Sequence, residues 1–91
     1  MFFAIIYDIS EDGRRERLRK KLKNFGSPVQ YSAFEANLKP KEYDNMLKII
    51  MSTIDEGEDK VRIYPLCDGC KQRTRILGDG KLTEDELTVF R

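Results

Sequence analysis

One carboxylate interrupts the most apolar segment of the chain. Residues 2–10 read Phe-Phe-Ala-Ile-Ile-Tyr-Asp-Ile-Ser, and Asp8 is the only charged residue among them. This composition predicts a strand buried on both faces, where a charge costs free energy unless something compensates it. Mg²⁺ usually takes one or two carboxylates together with waters and phosphates. Asp8 is therefore a candidate metal ligand, and the alternative is a structural role at the start of the next helix.

A basic cluster follows this carboxylate. Positions 14–23 hold seven lysines and arginines against one glutamate, a net charge of +6. The remaining residues cancel most of this charge, because the whole chain has 17 basic and 16 acidic residues. One interpretation of a segregated basic helix is that it binds the phosphates of a nucleic acid without reading its sequence. The alternative interpretation is a solvated helix face.

Other catalytic groups are scarce. The chain has no histidine, which excludes a Ser-His-Asp triad, a Cys-His pair and a histidine-rich zinc site. Its two cysteines, Cys67 and Cys70, have the spacing of a zinc knuckle or a redox pair, but no second pair completes a site. Two free thiols are the expected state, with a zinc site shared across a dimer or a disulfide as alternatives.

Hydrophobic spacing predicts the elements that position Asp8 and the basic cluster. Leu18, Leu22 and Phe25 recur at helical intervals, and Gly26 ends this first helix. Residues 28–38 have the composition of a strand, but their apolar phase shifts near the middle. This shift predicts a bulge or tight reversal near Ser32 and Ala33, between two short strands.

The second half of the chain predicts a helix and a strand. Pro40 suits a first helical position, and an apolar face follows it. The residues of that face are Tyr43, Met46, Leu47, Ile50, Met51 and Ile54. Residues 55–59 are expected to be a solvated acidic loop, and residues 61–66 alternate as a half-buried strand.

The order of these elements fits an α+β fold, a ferredoxin-like βαββαβ sandwich with an antiparallel sheet and two helices on one face. The length allows a single domain over residues 1–91, with a core of about 1–67. Residues 68–91 are expected to be a loop and a C-terminal dimerisation strand that joins the partner's sheet. The chain lacks a membrane-length apolar run and a secretory signal, so a cytoplasmic protein without membrane contact is expected.

Several blocks occur in the order and spacing of a known family. They are Ile6-Tyr7-Asp8-Ile9-Ser10, Phe25-Gly26 after the basic helix, Val29-Gln30-Tyr31-Ser32-Ala33-Phe34-Glu35, and Val61-Arg62-Ile63-Tyr64-Pro65-Leu66-Cys67. Over residues 2–67 the chain closely resembles the second universal CRISPR-associated adaptation protein. The family's second helix usually starts after Leu-Thr-Pro, whereas this chain has Lys39 in place of the threonine, so a side-chain cap is lost.

The resemblance implies a homodimer that works with the CRISPR integrase to insert new DNA spacers. It also implies a metal-dependent endoribonuclease or deoxyribonuclease, in which Asp8 of each subunit binds Mg²⁺ or Mn²⁺. Tyr7, Ser32 and Phe34 match positions that the family places near this catalytic site. The basic residues expected to bind the DNA or RNA backbone are Arg14, Arg15, Arg17 and Arg19.

Two mechanisms remain open after this comparison of motifs. In the first, Asp8 and its symmetry mate hold Mg²⁺ for phosphodiester hydrolysis. In the second, the dimer is a non-catalytic basic scaffold that bridges DNA between integrase subunits. A toxin-like ribonuclease of the same fold is a third alternative.

Overall fold

Seven elements follow one another in residues 1–78, the part of the chain that this computed structural model describes. They are β1 (Phe2–Asp8), α1 (Asp12–Leu22), β2 (Ser27–Gln30), β3 (Ala33–Asn37), α2 (Pro40–Thr53), β4 (Lys60–Leu66) and α3 (Asp68–Arg73). The predicted order of strands and helices is confirmed. The predicted C-terminal strand lies outside the described residues.

The described strands form one antiparallel sheet in the order β2-β3-β1-β4. β1 is central, with β3 on one side and β4 along its full length on the other. Phe2 pairs with Leu66 at one end of β1, and Asp8 pairs with Lys60 at the other. This order, with helices joining β1 to β2 and β3 to β4, is the predicted ferredoxin-like fold.

The two long helices cover the same face of the sheet. Alternate residues of β1 and β3 point toward the helices, since successive side chains of a strand project to opposite faces. The core formed between the sheet and the helices contains Phe3, Ile5, Tyr7, Leu18, Leu22, Phe34, Ala36, Met46 and Ile50. On the uncovered face, Ile6 and Tyr64 are 43% and 45% exposed, so β1 is fully buried on one face only within a single chain.

At the start of each long helix, an acidic side chain accepts hydrogen bonds from backbone N–H groups. The carboxylate of Glu11 accepts hydrogen bonds from the backbone N–H groups of Gly13 at 2.9 Å and Arg14 at 2.7 Å. These bonds lower the pKa of Glu11, and the bond from Gly13 has the largest effect. At α2, the Glu42 carboxylate accepts from the backbone N–H of Lys39 at 2.8 Å, which offsets the missing side-chain cap at that position.

Gly26 allows the segment between α1 and β2 to pass close to the backbone of β3. A Cβ at this position would overlap the backbone carbonyl of Glu35 and lie 2.8 Å from the Cβ of Ala36. The hairpin predicted from the phase shift is confirmed, with its turn at residues 31 and 32 and an irregularity in β2 between Pro28 and Gln30. The absence of a side chain at Gly26 therefore positions the hairpin against the end of α1.

Two local expectations were wrong. Residues 68–73 form a short helix instead of a loop, and Cys67 begins it by accepting a hydrogen bond at Sγ from the backbone N–H of Cys70 at 3.4 Å. Met51, expected on the apolar face of α2, is 52% exposed. The helical face that packs on the sheet is narrower than the hydrophobic pattern indicated.

Candidate nucleic-acid and metal site

Asp8 lies at the end of β1 on the uncovered face of the sheet. It is exposed, and its position in the register places it beside Lys60. Within residues 1–78 no salt bridge engages Asp8. The residue that caps α1 is Glu11, so the proposed capping role of Asp8 is wrong and its carboxylate is available to a ligand.

The turn after Asp8 is fixed by a buried carboxylate at the start of β4. Asp59 Oδ1 accepts hydrogen bonds from the backbone N–H of Ser10 at 3.2 Å and from Arg14 Nη2 at 3.1 Å. Asp59 Oδ2 accepts from Arg14 Nε at 2.6 Å and from the backbone N–H of Asp55 at 2.8 Å. Asp59 is only 5% exposed, so the expectation of a fully solvated acidic loop was wrong here. This ion pair holds the β1–α1 turn, and with it Asp8, against β4.

Arg14 therefore has an internal role that its position in a basic cluster did not indicate. Its hydrogen bonds to Asp59 lower the pKa of that carboxyl well below its usual range and raise the pKa of the guanidinium. A second carboxylate, Glu58, lies 3.5 Å from Arg14 Nη2. A phosphate could reach the Arg14 guanidinium only by replacing this buried pair, so Arg14 serves the β1–α1 turn.

Tyr7 links the end of β1 to the turn of the hairpin. Its backbone N–H donates to the carbonyl of Ser32 at 3.0 Å, and its phenol donates to the carbonyl of Tyr31 at 3.5 Å. Burial raises the pKa of the Tyr7 phenol, so the group is neutral at physiological pH. Tyr7 thus positions the turn as an uncharged hydrogen-bond donor.

The sequence-predicted residues Tyr7, Asp8, Arg15 and Ser32 lie around one surface depression of about 390 Å³, which we call the Asp8 depression. Tyr31 also lines it. The other predicted catalytic residue, Phe34, is 1% exposed and belongs to the core. Its ring centroid lies 6.3 Å from that of Tyr7, so Phe34 supports the depression by packing and does not reach its surface.

A second, larger depression separates α1 from the β2–β3 hairpin, and we call it the hairpin groove. It has a volume of about 620 Å³ and is lined by Tyr7, Asp12, Arg15, Glu16, Arg19, Pro28, Val29, Gln30 and Tyr31. Arg15 forms a salt bridge with Asp12, and Arg19 pairs with Glu16 at 3.4 Å. Salt bridges between exposed groups contribute little free energy, so a phosphate can compete for both guanidinium groups. Arg17 is exposed but does not line the groove.

Two further cations lie beside Asp8, on β4. Lys60 and Arg62 share a depression of about 310 Å³ with Ile6, Tyr7, Asp8 and Tyr64. Arg62 Nη1 donates to the phenol oxygen of Tyr64 at 3.3 Å, which raises the pKa of the guanidinium. Sequence reasoning missed both residues, although the alternation of β4 places them on the face that carries Asp8.

The described residues of one chain offer few side-chain ligands for a metal ion. In the described residues, no group of three His, Cys, Asp or Glu side chains could hold one. Mg²⁺ accepts one or two carboxylates with waters and phosphate oxygens. Asp8 fits that chemistry as one carboxylate ligand, provided that a second copy of the chain or the substrate supplies others.

The cysteines stand apart from these depressions. Cys67 and Cys70 are both exposed and free. The hydrogen bond from the backbone N–H of Cys70 lowers the pKa of the Cys67 thiol. The hydrogen bond between the two thiols raises the pKa of Cys70.

Comparisons with known proteins identify the family. The family model described as CRISPR associated protein Cas2 matches residues 1–74. The chain is 44% identical over 85 residues to CRISPR-associated endoribonuclease Cas2 3 of Chloroflexus aurantiacus, covering 93% of this chain and 91% of that protein. It is 35% identical over 82 residues to CRISPR-associated endonuclease Cas2 2 of Thermus thermophilus, covering 90% and 87%.

Solved structures agree with this assignment. The crystal structure of Streptococcus pyogenes Cas2 superposes with a TM-score of 0.76 at 28% identity, covering 86% of this chain and all of that one. A hypothetical protein from Thermus thermophilus gives a TM-score of 0.80 at 35% identity, covering 91% and 96%. No helix of residues 1–78 has the length and apolar character needed to cross a membrane. The family model, the relatives and the shared fold together show that the chain belongs to the CRISPR-associated Cas2 family.

Proposed function

We propose that this chain is a homodimeric, Mg²⁺-dependent nuclease that acts with the CRISPR integrase in spacer acquisition. The observation that carries the nuclease proposal is the position of Asp8, an exposed carboxylate at the end of the central strand with cationic groups around it. Relatives are named endoribonuclease and endonuclease, so the bond cleaved is a phosphodiester of RNA or DNA.

The uncovered face of the sheet supports the homodimer. Ala4, Ile6 and Asp8 project from this face of β1, since they alternate with the core residues of the same strand. Tyr64 and Arg62 join them from β4. A second copy that packs on this face about a two-fold axis buries the exposed apolar residues. If this axis passes near the end of β1, it brings the two Asp8 carboxylates together, and a divalent cation between them removes their repulsion.

Each described side chain of the site has a separate role in the proposed reaction. Bound Mg²⁺ would supply the charge that polarises the phosphodiester and acidifies an attacking water. Asp8 would hold that ion, and Arg15 and Arg19 would hold the phosphates on either side of the scissile bond. Lys60 and Arg62 raise the local positive potential, which favours the charge that develops on phosphate oxygens.

Asp8→Asn tests this proposal, with Asp44→Asn as the matched control. Both changes remove one carboxylate charge from an exposed position, and Asp44 lies in α2 away from the Asp8 depression. Asp8→Asn is expected to abolish Mg²⁺-dependent cleavage of RNA and DNA and to weaken Mn²⁺ binding measured by electron paramagnetic resonance. Asp44→Asn is expected to retain both. Equal cleavage and Mn²⁺ binding by all three proteins would refute a metal role for Asp8.

A second candidate function is a non-catalytic scaffold that bridges DNA between integrase subunits. It is favoured by the single carboxylate among the described residues that line the Asp8 depression and by the lack of any histidine as a general base. Under this hypothesis Asp8→Asn leaves spacer integration with the integrase unchanged. Reversing the charges of Arg15 and Arg19 reduces integration under either hypothesis, so Asp8 is the residue that separates the two.

A further inference from the structure

Tyr31 is an aromatic residue with a fixed backbone and an exposed ring. It occupies the turn between β2 and β3, and 89% of its surface is exposed. The Tyr7 phenol donates to its carbonyl at 3.5 Å, and the adjacent carbonyl of Ser32 accepts from the Tyr7 backbone at 3.0 Å. The turn is therefore anchored to the central strand, while the Tyr31 ring adds almost no buried area to the core.

The hairpin groove has two chemically different walls. The hairpin wall carries Tyr31 and Val29, which is 42% exposed. The α1 wall carries Arg15 and Arg19. The volume of about 620 Å³ lies within the range of pockets that bind small organic ligands. An aromatic side and a guanidinium side, facing one cavity, match the two parts of a nucleotide: a flat base and an anionic phosphate.

We propose that the hairpin groove binds an unpaired nucleotide, with the base stacked on Tyr31 and the phosphate held by Arg15 and Arg19. The inference rests on the nucleic-acid binding proposed above and specifies its form, which is a single strand or an unpaired end. Bases inside a duplex already stack on their neighbours and offer no free face to Tyr31. Phe34, by contrast, is buried and cannot offer its ring to a base.

The acidic residues of the groove do not prevent this binding. Asp12 is 94% exposed and Glu16 is 54% exposed at their side chains, so both carboxylates can turn into water when a phosphate arrives. An arginine side chain has five N–H donors. A phosphate can therefore accept hydrogen bonds from the donors that the carboxylate does not engage. Asp12→Asn and Glu16→Gln should each strengthen binding, because each removes a charge that repels the phosphate.

The test compares single-stranded and duplex binding in one assay. Fluorescence anisotropy would measure the Kd of fluorescein-labelled single strands, as RNA and as DNA, and of a DNA duplex of the same length. Tyr31→Ala is expected to weaken single-strand binding by about 5- to 150-fold, the range for loss of one base–aromatic stack. Duplex binding should not change, and Tyr31→Phe should keep the wild-type affinity for both because it retains the ring. Thermal unfolding of Tyr31→Ala checks that the exposed substitution leaves the fold intact.

The outcomes separate this inference from the proposed function. If the wild-type protein binds single strands and duplexes, but Tyr31→Ala binds single strands as tightly as wild type, the inference fails and nucleic-acid binding stands. Equal weakening on both substrates also refutes it. If the wild-type protein binds neither substrate, both proposals fail. Quenching of a 2-aminopurine base by wild type and Tyr31→Phe, but not by Tyr31→Ala, would support stacking directly.

Discussion

Neutralising Arg15 should change how nucleic-acid binding depends on salt. Arg15 lines both the Asp8 depression and the hairpin groove, and its side chain is 25% exposed. Its partner in the folded chain, Asp12, is 94% exposed, so Arg15→Gln removes a weak surface pair and should leave the fold intact. The substitution therefore isolates the contact with phosphate.

The expected magnitude follows from counterion release. Each phosphate contact contributes about 0.7 to the slope of log K against log salt for a single strand. In the proposed homodimer, Arg15→Gln would remove two contacts, so the slope would become shallower by about 1.4. Between 50 and 200 mM salt, a fourfold change, wild-type affinity should then fall about sevenfold more than that of the variant. If only one subunit binds the strand, this difference shrinks to about 2.6-fold.

Fluorescence anisotropy over a series of salt concentrations measures these slopes. Lys48→Gln is the matched control, because Lys48 is an exposed cation on α2 that lines neither depression. It should change the affinity slightly and leave the slope at its wild-type value. An unchanged slope in Arg15→Gln, or an equal change in Lys48→Gln, would refute a direct contact between Arg15 and phosphate.

Three further predictions concern the structure that supports the site. The pKa of Asp59 is depressed in the folded state, so its stabilisation is present above the unfolded-state pKa of about 3.9 and is lost as the pH falls below it. Urea unfolding should show that the free energy of unfolding changes less between pH 7 and pH 3 for Asp59→Asn than for wild type. Gly26→Ala should cost about 1–3 kcal/mol in the same urea assay, since the new methyl group meets the backbone of β3; an unchanged midpoint would contradict this. Glu42→Ala removes the bond to Lys39 and should cost about 0.5–1 kcal/mol, whereas Glu56→Ala in the exposed loop should cost less.

Short-range patterns predicted most of the fold. Helical spacing and Pro40 located α1 and α2, because one face of each helix packs on a single sheet. Alternation located β4, and the phase shift located the hairpin turn. The strand-end carboxylate and the basic helix also pointed to the end of the sheet where Asp8 and Arg15 line one depression.

Features that depend on pairing between distant residues escaped sequence reasoning. Arg14 looked like any other residue of the basic cluster, and its partner Asp59 lies 45 positions later in a segment of five residues, four of them acidic. Periodicity carries no information on which of those carboxylates becomes buried. Tyr31 fell within a segment predicted as strand, and only the structure places it in the turn beside the groove. Lys60 and Arg62 required the register of β4 against β1.

The central position of β1 has a consequence for synthesis of the protein. β1 is the first strand made, yet its longest partner is β4, which ends at Leu66. Until β4 leaves the ribosome, one edge of β1 has no hydrogen-bonding partner, and the ion pair of Asp59 with Arg14 cannot form. We therefore expect folding to begin only after most of the chain has been synthesised. Its rate should be limited by closure of the long segment between β1 and β4. The emerging apolar strand is exposed during that interval, so the nascent chain is most prone to aggregate before residue 66 is released.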